Sequence, residues 1–144
     1  MSDTKQYQQF VEMCGEPYRK AVDEMLEPLE KDVAFAEKEW GSSEGRVALE
    51  RVRKTLYLSY AALGLAGEAG EYAEKVKKLI RDDKGVLTPE RGGAMRKELG
   101  DTEWYATENA RLIGSNKDDV IWANEQKLKD RIERGTRHGD GDNR

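Results

Sequence analysis

From about residue 44 to 82 the chain runs without a proline, through "EGRVALERVRKTLYLSYAALGLAG" and on into "EAGEYAEKVKKLIRDD". Its apolar residues recur at helical spacing, and almost no stretch of the sequence alternates as a strand would. One helix of that length uses about a quarter of 144 residues and leaves the rest to pack along it. The three prolines fall at Pro17, Pro28 and Pro89, so breaks are few. The expected fold is all-α, an antiparallel helical bundle. Helices are predicted over about 3–14, 17–40, 44–82, 89–113 and 116–134, with loops at "WGSSEG" and "DDKGVLTPERGG". Ser42 or Ser43 can cap the long helix, and Thr88 with Pro89 and Glu90 reads as a cap, a first-turn proline and a first-turn acid. Ser115 with Asp118 resembles a capping pair for the last helix. "GTRHGDGDNR" reads as an irregular tail.

The long helix also carries a puzzle. Gly64, Gly67 and Gly70 sit in it, and each interior glycine costs roughly 1 kcal/mol relative to alanine. Spaced by three, they would leave one side nearly bare, so that another helix or a phosphate could come close.

Charged residues reach 38%, against about 25% in an average protein, which suits solvated helix faces or a site that needs charge. The formal charge is only −4, so no field that would gather nucleic acid is expected. The length fits one domain with a real core. Cys14 is the only cysteine; it excludes an intrachain disulfide, argues against a zinc site, and is read as a buried or incidental thiol. His138 is the only histidine and lies in the tail. No apolar run approaches the roughly 20 residues that span a membrane, and the N-terminus lacks a secretory layout. A soluble cytoplasmic protein with no membrane partner is expected.

Residues three, four and seven apart share a helix face. Glu68 and Glu71 are therefore neighbours, with Lys75 and Lys78 extending their stripe. Glu98 and Asp101 repeat the spacing, followed by Tyr105 and Glu108. Asn124, Lys127, Arg131 and Arg134 form a third stripe. Such pairs are common on solvated helices. These acids, however, lie beside the least polar stretches of the chain. At about 4 Å and an effective dielectric near 20, each like-charged pair costs on the order of 4 kcal/mol, so the acids need protons or a cation to coexist. All four candidate ligands are carboxylates, which favours Mg²⁺, or Mn²⁺ in its place, over softer metals. A di-iron bundle would require Glu-x-x-His on two helices, which the sequence lacks. Lys127 and Arg131 would suit the oxygens of an oligophosphate.

"GLAGEAGEYAEKVKK" followed by "KELGDTEWYATENA" resembles the MazG-like, all-α nucleoside triphosphate pyrophosphohydrolases, whose pattern is ExxE, a spacer, then ExxD. "NEQKLKDRIERGTRHGDGDNR" is similar to the last helix and tail of a bacterial and phage branch. The resemblance covers residues from about 56 onward. It divides the chain into an N-terminal helical extension (1–55), a catalytic helical core (56–134) and a tail (135–144).

The resemblance implies hydrolysis of a (d)NTP between its α- and β-phosphates, giving monophosphate and pyrophosphate. It carries Mg²⁺ ligation and catalysis onto Glu68, Glu71, Glu98 and Asp101, one acid of the first pair also helping to position water. It carries substrate contact onto Asn124, Lys127, Arg131 and Tyr105; beside it, the residues' own chemistry lets Lys75 and Lys78 assist, with a solvated face as the role of at least one. A homodimer or homotetramer with shared sites is implied too. Base recognition is not assigned, although Trp40, Tyr57 and Tyr60 could stack on a base or serve as core. Phosphoribosyl-ATP pyrophosphohydrolase and a non-catalytic nucleotide-sensing or partner-binding module are the competing readings.

Overall fold

The computed structural model describes residues 4–135, which form five α-helices: α1 (Thr4–Cys14), α2 (Glu16–Trp40), α3 (Glu44–Arg81), α4 (Pro89–Leu112) and α5 (Lys117–Glu133). There is no strand among the described residues, and the all-α expectation holds. Local chemistry sets the boundaries. Gly41 ends α2 at φ 68°, where its N–H bonds the Glu37 carbonyl. Thr88 caps α4 by accepting the Arg91 N–H, with Pro89 in the first turn.

The cap of α5 is shifted by one residue from the predicted Ser115. Ser115 donates its N–H to the Ala110 carbonyl at 2.9 Å, closing α4 around Gly114 at φ 79°. Asn116 is extended, and its side chain accepts from the Asp119 N–H at 2.9 Å. Ser43 precedes α3 without making a side-chain cap bond, because its backbone is already helical.

α3 is the axis of the fold. Its N-terminal half packs antiparallel to α2, where Arg46 meets Glu37 at 2.7 Å and Arg53 gathers Asp23, Glu30 and Glu50. Its C-terminal half packs antiparallel to α4, where Lys75 reaches Glu98 at 3.0 Å. α1 lies against α4, and α5 touches α4 and α1 but not α3. The division proposed at residue 55 falls inside α3, so it marks where the resemblance begins and not a break in the chain's packing.

The core is smaller than the length led us to expect. The buried apolar side chains among the described residues are Val11, Tyr18, Leu26, Leu49, Ala61 and Ala110. Large apolar groups stay exposed along α5 (Ile121, Trp122, Leu128, Ile132) and on the outer side of α3 and α4 (Leu63, Ile80, Leu99). No helix among the described residues is long and apolar enough to cross a membrane.

Candidate functional site

α3 and α4 place Gly64 opposite Tyr105, and this contact sets how close the two helices come. A β-carbon on Gly64 would lie 2.2 Å from the Tyr105 ring, so only glycine leaves room for it. Gly67 and Gly70 face open space, with nothing within 4 Å of an added β-carbon. The expectation that all three glycines bare one side of the helix is corrected. A step of three residues falls 60° short of a full turn, so successive glycines rotate away from α4.

One turn beyond Gly64, Glu68 faces α4. Carboxylate oxygens of Glu68, Glu98 and Asp101 lie within 4.8 Å of one another. Glu68 and Glu98 are half-buried and Asp101 is exposed. Burial first, then the charges of Glu71, Asp101 and Glu98, raise the Glu68 carboxyl above its ordinary value. Glu71 is exposed and stands outside the group of three, although its charge is felt at Glu68. The fourth predicted ligand is thus a neighbour of the cluster in this arrangement. An all-oxygen, mutually repelling set of this kind fits a hard divalent cation.

The lysines divide differently from the expectation. Lys75 pairs with Glu98 at 3.0 Å, and that bond first and Glu98's charge second raise its pKa. Lys78 pairs instead with Glu74 at 3.4 Å, since its position lies further round the helix. Lys75 is therefore the cation beside the carboxylates among the described residues.

A cleft of about 410 Å³ opens next to the acids, lined by Phe10, Cys14, Glu68, Asp101, Trp104 and Tyr105. Trp104 and Tyr105 meet edge to face at 4.6 Å. Burial and the neighbouring Tyr60 hydroxyl push the Tyr105 phenol up. Cys14 is exposed, contrary to the buried alternative. The aromatic residues singled out as possible base contacts do not line this cleft. Trp40 is 75% exposed at the end of α2, beside Phe35. Tyr57 and Tyr60 both pack on Tyr18, Tyr60 in parallel stacking at 4.3 Å.

The basic stripe of α5 does not converge on the acids within one chain. Asn124 and Lys127 line a separate hollow of about 510 Å³ with Val120, Ile121 and Ala123. Arg131 is buried at 7% exposure, and Arg134 pairs with Asp130. His138 lies outside the described residues.

Sequence reasoning placed Glu108 on the polar stripe of α4 but missed its role. It is fully buried and accepts hydrogen bonds from Tyr18 Oη at 2.5 Å, Arg19 Nη1 at 2.7 Å, and Arg111 Nε and Nη2 at 2.8 and 2.9 Å. Burial alone would raise its pKa; bonds from Arg111 and Tyr18, with the charges of Arg111 and Arg19, hold it below the ordinary value. Tyr18 and Arg19 belong to α2, far away in sequence, so spacing alone could not reveal them.

Fold and site together define a helical protein with two antiparallel helix pairs and a carboxylate trio across the second. The chain is 46% identical over 87 residues to the Gene 37 protein of Mycobacterium phage L5, a match covering 60% of this chain and 76% of the phage protein. It belongs to the family of that phage protein. No family model and no solved structure matches the chain.

Proposed function

We propose that the protein is a Mg²⁺-dependent nucleoside triphosphate pyrophosphohydrolase of MazG-like type, with Mn²⁺ able to substitute. The observation that carries the reading is the convergence of Glu68, Glu98 and Asp101 from two helices onto one point. Those are three of the four acids that the ExxE and ExxD resemblance marks.

A divalent cation held there would neutralise the acids, polarise the α-phosphate and lower the pKa of a bound water. Glu71, exposed and with its charge felt at Glu68, would take a proton from the attacking water. Lys75 restrains Glu98 and offsets part of the negative charge. Water attack on the α-phosphorus forms one P–O bond and breaks the bond to the bridging oxygen, releasing monophosphate and pyrophosphate. Positioning and charge stabilisation contribute most in chemistry of this kind. We assign the base to the Phe10, Trp104 and Tyr105 cleft, because these rings stand beside the acids.

Asn124 and Lys127 then act on phosphate from a second copy of the chain. What supports this is the uncovered apolar stripe of α5, Ile121, Leu128 and Ile132, which runs beside them. A homodimer or homotetramer would cover it.

The test is to incubate the protein with Mg²⁺ and a panel of nucleoside triphosphates, modified bases and phosphoribosyl-ATP, and to measure the products. Monophosphate and pyrophosphate are expected from at least one triphosphate, with turnover reduced about 100-fold or more in Glu98→Gln and Asp101→Asn. Release from phosphoribosyl-ATP alone would move the assignment to that enzyme. Orthophosphate with diphosphate would refute α–β cleavage, and no release from any substrate would leave a binding module.

A further inference from the structure

We infer that Glu108 is a positioning residue, fastening the N-terminal helices to α4 and thereby building the α1 side of the cleft beside the carboxylates. The proposal rests, for its metal readout only, on the reading of Glu68, Glu98 and Asp101 as a cation site.

Four observations converge on it. Glu108 is wholly buried and takes four hydrogen bonds, two of them from α2. A buried carboxylate held this way is a fixed point, because moving either partner leaves a charge without compensation. The junction of α1 and α2 is shaped around it. A β-carbon on Gly15 would stand 2.4 Å from Arg19 Nη1 and 3.1 Å from Glu108 Oε1, although the Gly15 backbone is helical and would accept alanine. Arg19 also donates to the Glu12 carbonyl, tying the end of α1 into the same node, and Arg111 lies 3.8 Å from Glu12.

From the node a ring pathway leads to the site. Tyr18 stacks on Tyr60 at 4.3 Å, Tyr60 lies 6.5 Å from Tyr105, and Tyr105 fills the gap that Gly64 leaves. Tyr105 and Trp104 line the cleft with Glu68 and Asp101, and α1 supplies Phe10 and Cys14 to its other side. Asp101 and Glu108 are separated by only about 10 Å along the axis of α4. The node therefore holds α1 over the cleft and, through Tyr18 and Tyr60, holds Tyr105 in register.

The experiment uses the full chain with Trp40→Phe and Trp122→Phe, which leaves Trp104 as the only tryptophan. Acrylamide quenching of Trp104 reports the cleft, Mn²⁺ titration followed by electron paramagnetic resonance reports the acids, and far-ultraviolet circular dichroism reports folding. In Glu108→Leu with helicity retained, quenching is expected to rise and Mn²⁺ affinity to fall about tenfold, as when an outer partner of a metal site is lost. Glu108→Gln, which keeps the shape and part of the hydrogen bonding, should recover part of both. Gly15→Ala should shift both readouts in the same direction, although helix propensity alone predicts a more stable helix.

Parent-like quenching and affinity in a folded Glu108→Leu would overturn the proposal. Should that variant not fold, Gly15→Ala and Glu108→Gln decide by the same criterion. Should the parent bind no Mn²⁺, the cation reading fails, and the positioning role stands or falls on Trp104 quenching.

Discussion

Asp101 and Glu108 lie about two turns apart on one side of α4, in opposite surroundings. Glu108 is sealed from water and saturated with a tyrosine and two arginines, and its carboxyl is held low. Among the described residues one lysine, Lys75, pairs within the trio of Glu68, Glu98 and Asp101, and Glu68 is pushed up. The difference separates two uses of a carboxylate. A saturated acid is structural, because nothing remains for it to bind. A set of under-compensated acids, held together at a cost, is suited to a cation or a proton. Sequence periodicity put Glu98, Asp101 and Glu108 on one stripe; their partners tell them apart.

The largest expected effect comes from emptying the saturated side. Glu108→Leu leaves Arg19 and Arg111 without their shared partner. Both side chains keep some solvent contact, 18% and 23%, so the loss should fall near the lower end for broken buried pairs, about 3 kcal/mol. Urea unfolding measures it, and a loss under about 1 kcal/mol would show Glu108 to be dispensable.

Between the two regions stands the Gly64–Tyr105 contact. Gly64→Ala forces the ring or the helix to move and should cost about 1–3 kcal/mol. Gly70→Ala meets open space and should add about 1 kcal/mol from helix propensity. Equal effects at the two positions would remove the special role of Gly64.

The smallest effect, and the one with the clearest sign, concerns Glu68. Its folded-state pKa is raised, so the stability its protonated form gives is present at low pH and is lost as pH rises through that value. Glu68→Gln should therefore be more stable than the parent at neutral pH without divalent cation. It should lose that advantage below the carboxylate range. Adding Mg²⁺ should then stabilise the parent more than the variant. A pH-independent difference between the two would contradict the repulsion.

Much of the fold was legible because helices announce themselves locally. The 3.6-residue period, Gly114 and the Thr88–Pro89 start are all short-range signals, and all five helices lie within one residue of their predicted bounds. The Asn116 cap was missed because Ser115 is consumed by a bond back to Ala110, a competition between two helix ends. Glu68, Glu98 and Asp101 could be paired because two motifs repeat one spacing. Lys75 over Lys78, and Phe10 over Trp40, could not be chosen that way, since each depends on how far a helix has rotated or which helix lies opposite. The small core was hidden for another reason: composition counts apolar residues without showing that Leu63, Leu99 and Ile121 point outward.

The central claim, that the three acids form a cation site, meets its most direct test in a Mn²⁺ titration of the parent chain and Asp101→Asn at neutral pH, followed by electron paramagnetic resonance. The account predicts saturable binding to the parent and affinity lowered at least tenfold in the variant. No binding to the parent, or the same affinity in both, would contradict it.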